Sequence, residues 1–321
     1  MNDWLYGANG YYANFKAIGK GGDFYTAVSA SAFFGASIAN YLLSLIGEDD
    51  SKKSGYLVEI GAHQGYLICD MIQWIYSIAP DVLKTMKFAI VEKHEHIKKA
   101  QAEYINSRFG GEVEVLYFSS IEELICDYAF VVSNEIFDAF PCELLKDGKI
   151  ATVNEHQISW LDAPQNTLEW AKLHHLNQGE IAIGYEEFAK EFDRIKKCDF
   201  ISFDYGEEYV RNDFSIRVYE EHQVFPLFDE KLKLSKSYQN SDITYDVNFT
   251  HVTSAFSGAG FTRLHYETQA RALVRFGIID MLGDFAKQTT QATYIREADK
   301  IKTLLSPTMM GDRFKIIHLQ K

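Results

Sequence analysis

The sequence has no excess of basic residues and no shortage of apolar ones, and these two properties already restrict its class. Lys and Arg number 32 against 45 Asp and Glu, so the formal net charge is −13. This balance disfavours a protein that follows nucleic-acid phosphates. Hydrophobic residues make up 47% of 321 residues, which excludes a disordered or fibrous chain. The length predicts two domains or one elaborated α/β domain.

Paired cysteines and a secretory leader are also lacking. Cys69, Cys126, Cys142 and Cys198 stand far apart, with no Cys-x-x-Cys pair, so neither a zinc site nor a disulfide framework is indicated. The N-terminus, MNDWLYGANGYY, has neither a basic region nor an apolar run of the kind that starts a signal peptide. These features predict a reducing compartment and a cytoplasmic location.

An uncharged stretch, residues 27–47, is the segment that raises the question of a membrane span. Serines and an asparagine interrupt it, and acidic rather than basic residues follow it. A spanning helix is mostly apolar and usually has basic flanks. The stretch therefore predicts a helix buried in a protein core and no stable membrane insertion.

The first ~25 residues are rich in glycine and aromatic residues. Glycine favours irregular backbone, and aromatic rings such as Phe24 and Tyr25 pack well on flat surfaces. Two interpretations follow: an irregular arm packed on the core, or a lid that closes over a ligand.

Apolar strands alternate with amphipathic helices from residue 55 onward. This alternation predicts parallel strands, right-handed crossovers and a doubly wound α/β sheet. The predicted strands are 56–60, 88–91, 113–118, 129–132, 200–203 and 313–319. A helix is predicted over 67–78, ending before Pro80, and a β-hairpin with its turn at Asp147-Gly148 over 143–161. Residues 207–250 are predicted to be irregular, and the last third of the chain to be helical.

Two strand ends predict a nucleoside cofactor. Residues 59–65 (EIGAHQG) form a glycine-containing turn between the first strand and its helix, although His63 breaks the Gly-x-Gly-x-x-Gly dinucleotide pattern. The second strand ends in Glu92, whose carboxylate can accept both hydroxyls of a ribose, as in NAD and S-adenosylmethionine sites. Because ligands of such sheets bind beyond the carboxyl ends of the strands, the two features point to one site.

The fourth strand runs directly into a polar and acidic segment, residues 133–141 (SNEIFDAFP). Asn134, Glu135 and Asp138 follow a buried strand, where a reacting group would meet a nucleoside cofactor. The alternative is a loop whose Asn and Asp cap the next segment.

Taken together, these segments resemble the MidA family of class I S-adenosylmethionine-dependent methyltransferases. The resemblance spans nearly the whole chain, and its most specific parts are Gly-Asp-Phe-x-Thr and Asn-Glu-x-Phe-Asp-Ala. The matching segments are residues 22–26, 34–35, 59–61, 91–92, 134–139, 242–244, 268–269 and 310–315.

The resemblance implies a mostly parallel seven-stranded class I methyltransferase sheet with a helical C-terminal part. It implies an N-terminal arm and helix (residues 1–50) that cover the cofactor site, and a methyltransferase domain (51–321). An inserted β-hairpin and helical region would occupy about 141–197.

The resemblance also implies that the cofactor is S-adenosylmethionine, that its product is S-adenosylhomocysteine, and which residues bind it. The turn would surround the methionine part, Glu92 would hold the ribose, and the segment after the third strand would lie along the adenine. The implied cofactor-binding residues are Asp23, Phe24, Tyr25, Thr26, Glu59, Gly61, Ala62, His63, Gly65, Glu92, Ser119, Ser120, Ile121 and Asn134.

The mitochondrial relatives imply methylation of an arginine in a respiratory complex I subunit, so the expected partner is a protein and not a nucleic acid. Paired carboxylates can orient a guanidinium group through its fork of N–H donors. The candidate catalytic residues are therefore Asn134, Glu135, Asp138 and Glu143.

His63 replaces the middle glycine of the family's Gly-x-Gly-x-Gly turn, and its side chain is expected to crowd the cofactor. This departure keeps an alternative open: an assembly or interaction factor that binds S-adenosylmethionine but has weak or lost catalysis. An NAD-dependent oxidoreductase is the third interpretation.

Overall fold

The computed structural model describes residues 1–13, 26–47, 49–220 and 223–321. In these ranges the strands are β1 (Tyr56–Ile60), β2 (Lys87–Val91), β3 (Val115–Phe118), β4 (Cys126–Asn134), β5 (Cys142–Lys146), β6 (Lys149–Asn154), β7 (Gln157–Asp162), β8 (Gln178–Ala182), β9 (Ile195–Glu207), β10 (Arg217–Glu220), β11 (Gln223–Pro226), β12 (Asp242–Thr244), β13 (Val247–Asn248), β14 (Thr262–Thr268) and β15 (Phe314–Gln320). The α-helices are α1 (Asn2–Tyr6), α2 (Ala27–Ala30), α3 (Ala32–Ile46), α4 (Asp50–Lys53), α5 (Tyr66–Ile78), α6 (Glu95–Phe109), α7 (Gln165–Leu173), α8 (Tyr185–Lys190), α9 (Leu234–Ser237), α10 (Phe249–Gly258), α11 (Gln269–Arg275), α12 (Ile278–Gln288) and α13 (Gln291–Leu305).

The central sheet has the strand order β14-β15-β9-β4-β1-β2-β3, and β13 pairs additionally with β9. β15 runs antiparallel between β14 and β9, whereas β9, β4, β1, β2 and β3 are parallel. Central strands covered on both faces need continuous apolar runs, and Val131 and Val132 of β4 are accordingly both fully buried. The predicted doubly wound, mostly parallel sheet is therefore confirmed.

The uncharged stretch at 27–47 forms α2 and α3, and α3 lies in the core. The Ser31 hydroxyl caps α3 by accepting from the backbone N–H of Phe33 (3.3 Å), while Phe34, Ile38 and Leu42 are fully buried. The prediction of a buried core helix is thus confirmed. In the described ranges, no helix is both long and apolar enough to cross a membrane.

An antiparallel sheet with the order β7-β6-β5-β8 follows β4 in the chain. The predicted turn at Asp147-Gly148 connects β5 to β6, with φ of 51° and 76°, as a two-residue hairpin turn requires. A second hairpin turns at Glu155 and His156, which also have positive φ. The predicted hairpin is therefore one part of a larger sheet.

The prediction of an irregular segment at 207–250 is wrong. β10, β11 and β12 form a small antiparallel sheet there, and the N-terminal residues pack on it. The indole Nε1 of Trp4 donates to the carbonyl oxygen of Ser241 (2.6 Å). Strands of three or four residues are too short to show a period of two in the sequence.

Candidate active site

A cleft of about 450 Å³ opens at the carboxyl ends of β1, β2 and β4. β1 and β4 are neighbours in the sheet although two strands separate them in sequence, so the cleft lies at the topological switch point. Tyr6 and Tyr12 from the N-terminal segment also line it. The predicted site residues that line the cleft are Thr26, Glu59, Gly61, Ala62, His63, Glu92, Ser119, Asn134, Glu135 and Asp138.

The turn after β1 adopts left-handed backbone at three positions. Gly61 has φ of 71° and Gly65, at the start of α5, has φ of 79°. A Cβ on Gly61 would lie 3.0 Å from the Cγ2 atom of Ile136. His63 has φ of 46°, and its carbonyl oxygen accepts from Nε2 of the buried Gln101 (2.9 Å). The turn therefore keeps its left-handed conformation with histidine at this position.

Glu59 ties the end of β1 to the first turn of α5. Its Oε2 atom accepts from the backbone N–H of Ile68 (2.9 Å), and the side chain is buried. Burial raises the pKa of Glu59 to about 8, so the group is largely protonated at neutral pH.

Glu92 and Ser119 extend the cleft beyond β2 and β3. The Glu92 Oε1 atom accepts from the backbone N–H of His94 (2.8 Å), and the Ser119 hydroxyl accepts from Nζ of Lys98 (3.3 Å). Ser120 does not line the cleft, because its hydroxyl donates to Oε2 of Glu191 (2.8 Å). Ile121, also absent from the lining, is buried in the apolar core.

The end of β4 supplies the acidic wall of the cleft. Glu135 has φ of 55°, and its Oε1 atom accepts from Nδ2 of Asn134 (2.8 Å). Burial, with a smaller contribution from Asp138, raises the pKa of Glu135 to about 8. Burial also raises the pKa of Asp138, to about 6. The Oδ1 atoms of Asn134 and Asp138 are buried and have no hydrogen-bond donor among the residues that the structure describes.

Tyr205 and Thr244 complete this wall and were not predicted as site residues. The Tyr205 hydroxyl donates to the Asp138 carboxylate and lies 2.7 Å from Oγ1 of Thr244. The buried Asp204 carboxylate accepts from the backbone N–H groups of Phe137 (2.9 Å) and Asp138 (3.3 Å), which fixes the turn after β4. A local sequence pattern does not single out Tyr205, because its partner Asp138 lies 67 residues away.

Several predicted residues lie elsewhere. Glu143 is on β5, does not line the cleft, and accepts from the hydroxyl of Thr167 (3.0 Å). Asp23, Phe24 and Tyr25 lie outside the described residues, as does the rest of the predicted lid from residue 14 onward. Thr26 caps α2 and lines the cleft.

A doubly wound sheet with this strand order, a glycine turn after β1 and an acidic residue after β2 defines a class I methyltransferase fold. The family model described as "Putative S-adenosyl-L-methionine-dependent methyltransferase" matches residues 37–267, and the chain belongs to that family. The predicted enzyme class and its cofactor, S-adenosylmethionine, are confirmed.

Individual relatives agree with this assignment. A Danio rerio protein named "Protein arginine methyltransferase NDUFAF7, mitochondrial" is 23% identical over 341 residues, which cover 95% of this chain and 78% of the relative. The Drosophila melanogaster homologue of that protein is 26% identical over 159 residues, covering 44% of this chain and 36% of the relative. A COG1565 superfamily member from Burkholderia thailandensis, solved with bound S-adenosyl-homocysteine, has a TM-score of 0.84 at 21% identity. That alignment covers 100% of this chain and 86% of the other and shows the shared fold.

We expect His63→Gly to tighten S-adenosylmethionine binding and to speed methyl transfer. Glycine adopts the left-handed conformation at position 63 without a side chain that crowds the cleft. Calorimetric titration between pH 6 and 8 measures the effect. Weaker binding at every pH would contradict the crowding hypothesis, and a loss confined to acidic pH would indicate that the imidazolium helps to bind the cofactor carboxylate.

Proposed function

We propose that the cleft transfers a methyl group from S-adenosylmethionine to an arginine side chain of a protein. The observation that carries this proposal is the Asp138 Oδ1 atom, a buried acceptor without a donor in the described residues, in a wall shared with Glu135. Buried polar atoms are normally satisfied, so such an acceptor indicates a ligand with N–H donors. A guanidinium group supplies five of them in a planar fork.

The cofactor half of the cleft fits S-adenosylmethionine. We assign the ribose hydroxyls to Glu92, the methionine part to the turn at Gly61 and His63, and the adenine edge to Ser119. The Asn134 Oδ1 atom, which has no donor within the described ranges, suits an ammonium donor such as that of the methionine part. When bound, this cofactor supplies an electrophilic methyl group on a sulfonium sulfur.

The acidic wall holds and orients the acceptor. Asp138 accepts from the guanidinium at its free Oδ1 atom, while Tyr205 fixes the other carboxylate oxygen. Glu135 lies in the same wall and adds a second negative charge when it is ionised. Methyl transfer forms a C–N bond as the C–S bond of the sulfonium breaks, and the sulfur leaves as a neutral thioether. The methylated guanidinium keeps its single positive charge because the attacked nitrogen loses one N–H proton. The carboxylates therefore serve as acceptors of that proton.

Incubation with methyl-labelled S-adenosylmethionine and a cell lysate tests the proposal. We expect label in at least one protein. Cofactor binding without any transfer would favour the alternative of an assembly or interaction factor with lost catalysis. Calorimetric binding of NAD in place of S-adenosylmethionine would contradict both.

The expected partner, a respiratory complex subunit, and the cytoplasmic location are parts of this proposal. The names of the curated relatives place those proteins in mitochondria. The four cysteines carry free thiols, as a reducing compartment would allow. Fractionation of the source cells tests the location directly.

The raised pKa values of Asp138 and Glu135 predict a pH dependence of activity. Both carboxylates must be ionised to accept from a guanidinium, so kcat/KM should rise between pH 6 and about 8. The guanidinium itself stays protonated throughout this range. A carboxyl group whose pKa is raised by folding binds its proton more tightly in the folded state, so lowering the pH stabilises that state. These two groups therefore do not cause unfolding at pH 6. A kcat/KM that falls over this range would contradict the roles of both residues.

A further inference from the structure

A second cavity, of about 430 Å³, lies beside the active-site cleft, and Tyr205 lines both. We name it the arginine pocket, because Arg211, Arg217 and Arg313 line it together with the acidic Glu207 and Asp246. Apart from Tyr205, the residues that line it belong to no part of the cofactor or acceptor site described above.

The arginine pocket keeps unneutralised positive charge in a chain whose net charge is −13. Asp246 is shared by two guanidinium groups, those of Arg211 (2.7 Å) and Arg217 (2.7 Å). Glu207 is already paired with Lys315 (3.0 Å). Arg313 forms no ion pair within the described part of the chain, and its contact is with the ring of Tyr205, 5.5 Å from the ring centroid. These charges favour an anion in the pocket.

We propose that the arginine pocket binds a carboxylate of the protein substrate, close to the arginine that is methylated. This inference rests on the proposed function. Arginines hold carboxylates through paired N–H donors, which suits a planar anion.

The position of Tyr205 sets the distance between the arginine pocket and the acidic wall of the cleft. Its hydroxyl contacts Asp138 in the cleft, while the guanidinium carbons of Arg217 and Arg313 lie 4.7 and 5.5 Å from its ring centroid. The two sites are therefore about one tyrosine side chain apart. An extended peptide rises about 3.3 Å per residue, so an acidic residue roughly two positions from the acceptor arginine reaches the pocket.

Anion titration tests the pocket without any methyl transfer. In ¹H–¹⁵N spectra at constant ionic strength, sodium acetate should shift the Nε–H resonances of the pocket arginines saturably. Arg313→Gln should weaken this response at least threefold, whereas Arg296→Gln, on the exposed face of α13, removes the same charge and should leave it unchanged. A response to inorganic phosphate but not to acetate, or no saturable response, would overturn the proposal.

Peptide kinetics then test whether the carboxylate comes from the substrate. We compare C-terminally amidated arginine peptides that carry Glu or Gln two positions away, and a Gln peptide with a free C-terminal carboxylate. The wild type should show a KM about tenfold lower for the Glu peptide than for the amidated Gln peptide. In Arg313→Gln the two KM values should be about equal. Taking a ratio cancels any effect of the variant on Glu135, whose pKa Arg313 lowers.

The possible outcomes separate the two proposals. A preference for the free C-terminus over the Glu side chain would overturn the side-chain assignment. Equal KM values for all three peptides would overturn the substrate link. Transfer to none of them would count against arginine methylation, and the acetate titration would still decide whether the pocket binds a carboxylate.

Discussion

Asp138→Asn should lower kcat for methyl transfer by about 100-fold or more and leave S-adenosylmethionine affinity nearly unchanged. The variant keeps a hydrogen-bond acceptor for Tyr205 but loses the negative charge and the proton acceptor at the unpartnered Oδ1 position. Proton transfer by a positioned side chain typically contributes 10²–10⁴-fold. Single-turnover methylation and calorimetry of cofactor binding measure the two effects separately.

Glu143→Gln is the matched control for this variant. It removes a carboxylate from the same stretch of chain, but Glu143 lies on β5 against Thr167 and does not line the cleft. We expect its kcat to remain within about twofold of the wild type, the range of an indirect effect. Equal losses in both variants would show that the effect of Asp138→Asn does not arise from its place in the cleft.

Glu92→Ala should weaken S-adenosylmethionine binding by about ten- to a hundredfold. The substitution removes the carboxylate proposed to accept the ribose hydroxyls, and a charge-assisted hydrogen bond is worth ~1.5–3 kcal/mol. Within the described ranges, the hydrogen bond of its side chain is the one that it accepts from the backbone N–H of His94, so thermal unfolding should change little. Calorimetric titration and circular dichroism check both expectations.

Glu95→Ala provides the control for Glu92. Glu95 is exposed on α6, pairs with Lys98 (2.7 Å) and lies outside the cleft lining. Affinity that is unchanged in Glu92→Ala would contradict the ribose assignment, and a similar loss in both variants would point to damage to α6.

The strands and the cofactor turn could be predicted because their signals are local. Residues 56–60 and 88–91 are apolar runs between a turn and a helix, and they are β1 and the interior of β2. Asp147-Gly148 predicts a hairpin turn, because aspartate and glycine tolerate the positive φ that the turn requires.

Other elements depend on contacts that a local pattern does not contain. The hairpin turn at Glu155 and His156 could not be predicted from residue type. Both residues have positive φ there, which is uncommon for residues other than glycine. Tyr205 and Thr244 become part of the site only when β9 and β12 bring them to Asp138, from 67 and 106 positions along the chain. Glu143 is near Asp138 in sequence, but the antiparallel pairing of β5 with β8 carries it away from the cleft.

The most direct test of arginine methylation is to identify the modified residue in a labelled acceptor protein. Methylation with deuterated S-adenosylmethionine, followed by fragmentation mass spectrometry, locates the label. We predict deuterated methyl on the guanidinium of an arginine with wild-type enzyme and with Glu143→Gln, and its loss with Asp138→Asn. Label on lysine, on a carboxylate or on a small molecule, or equal arginine labelling by Asp138→Asn, would contradict the proposed function.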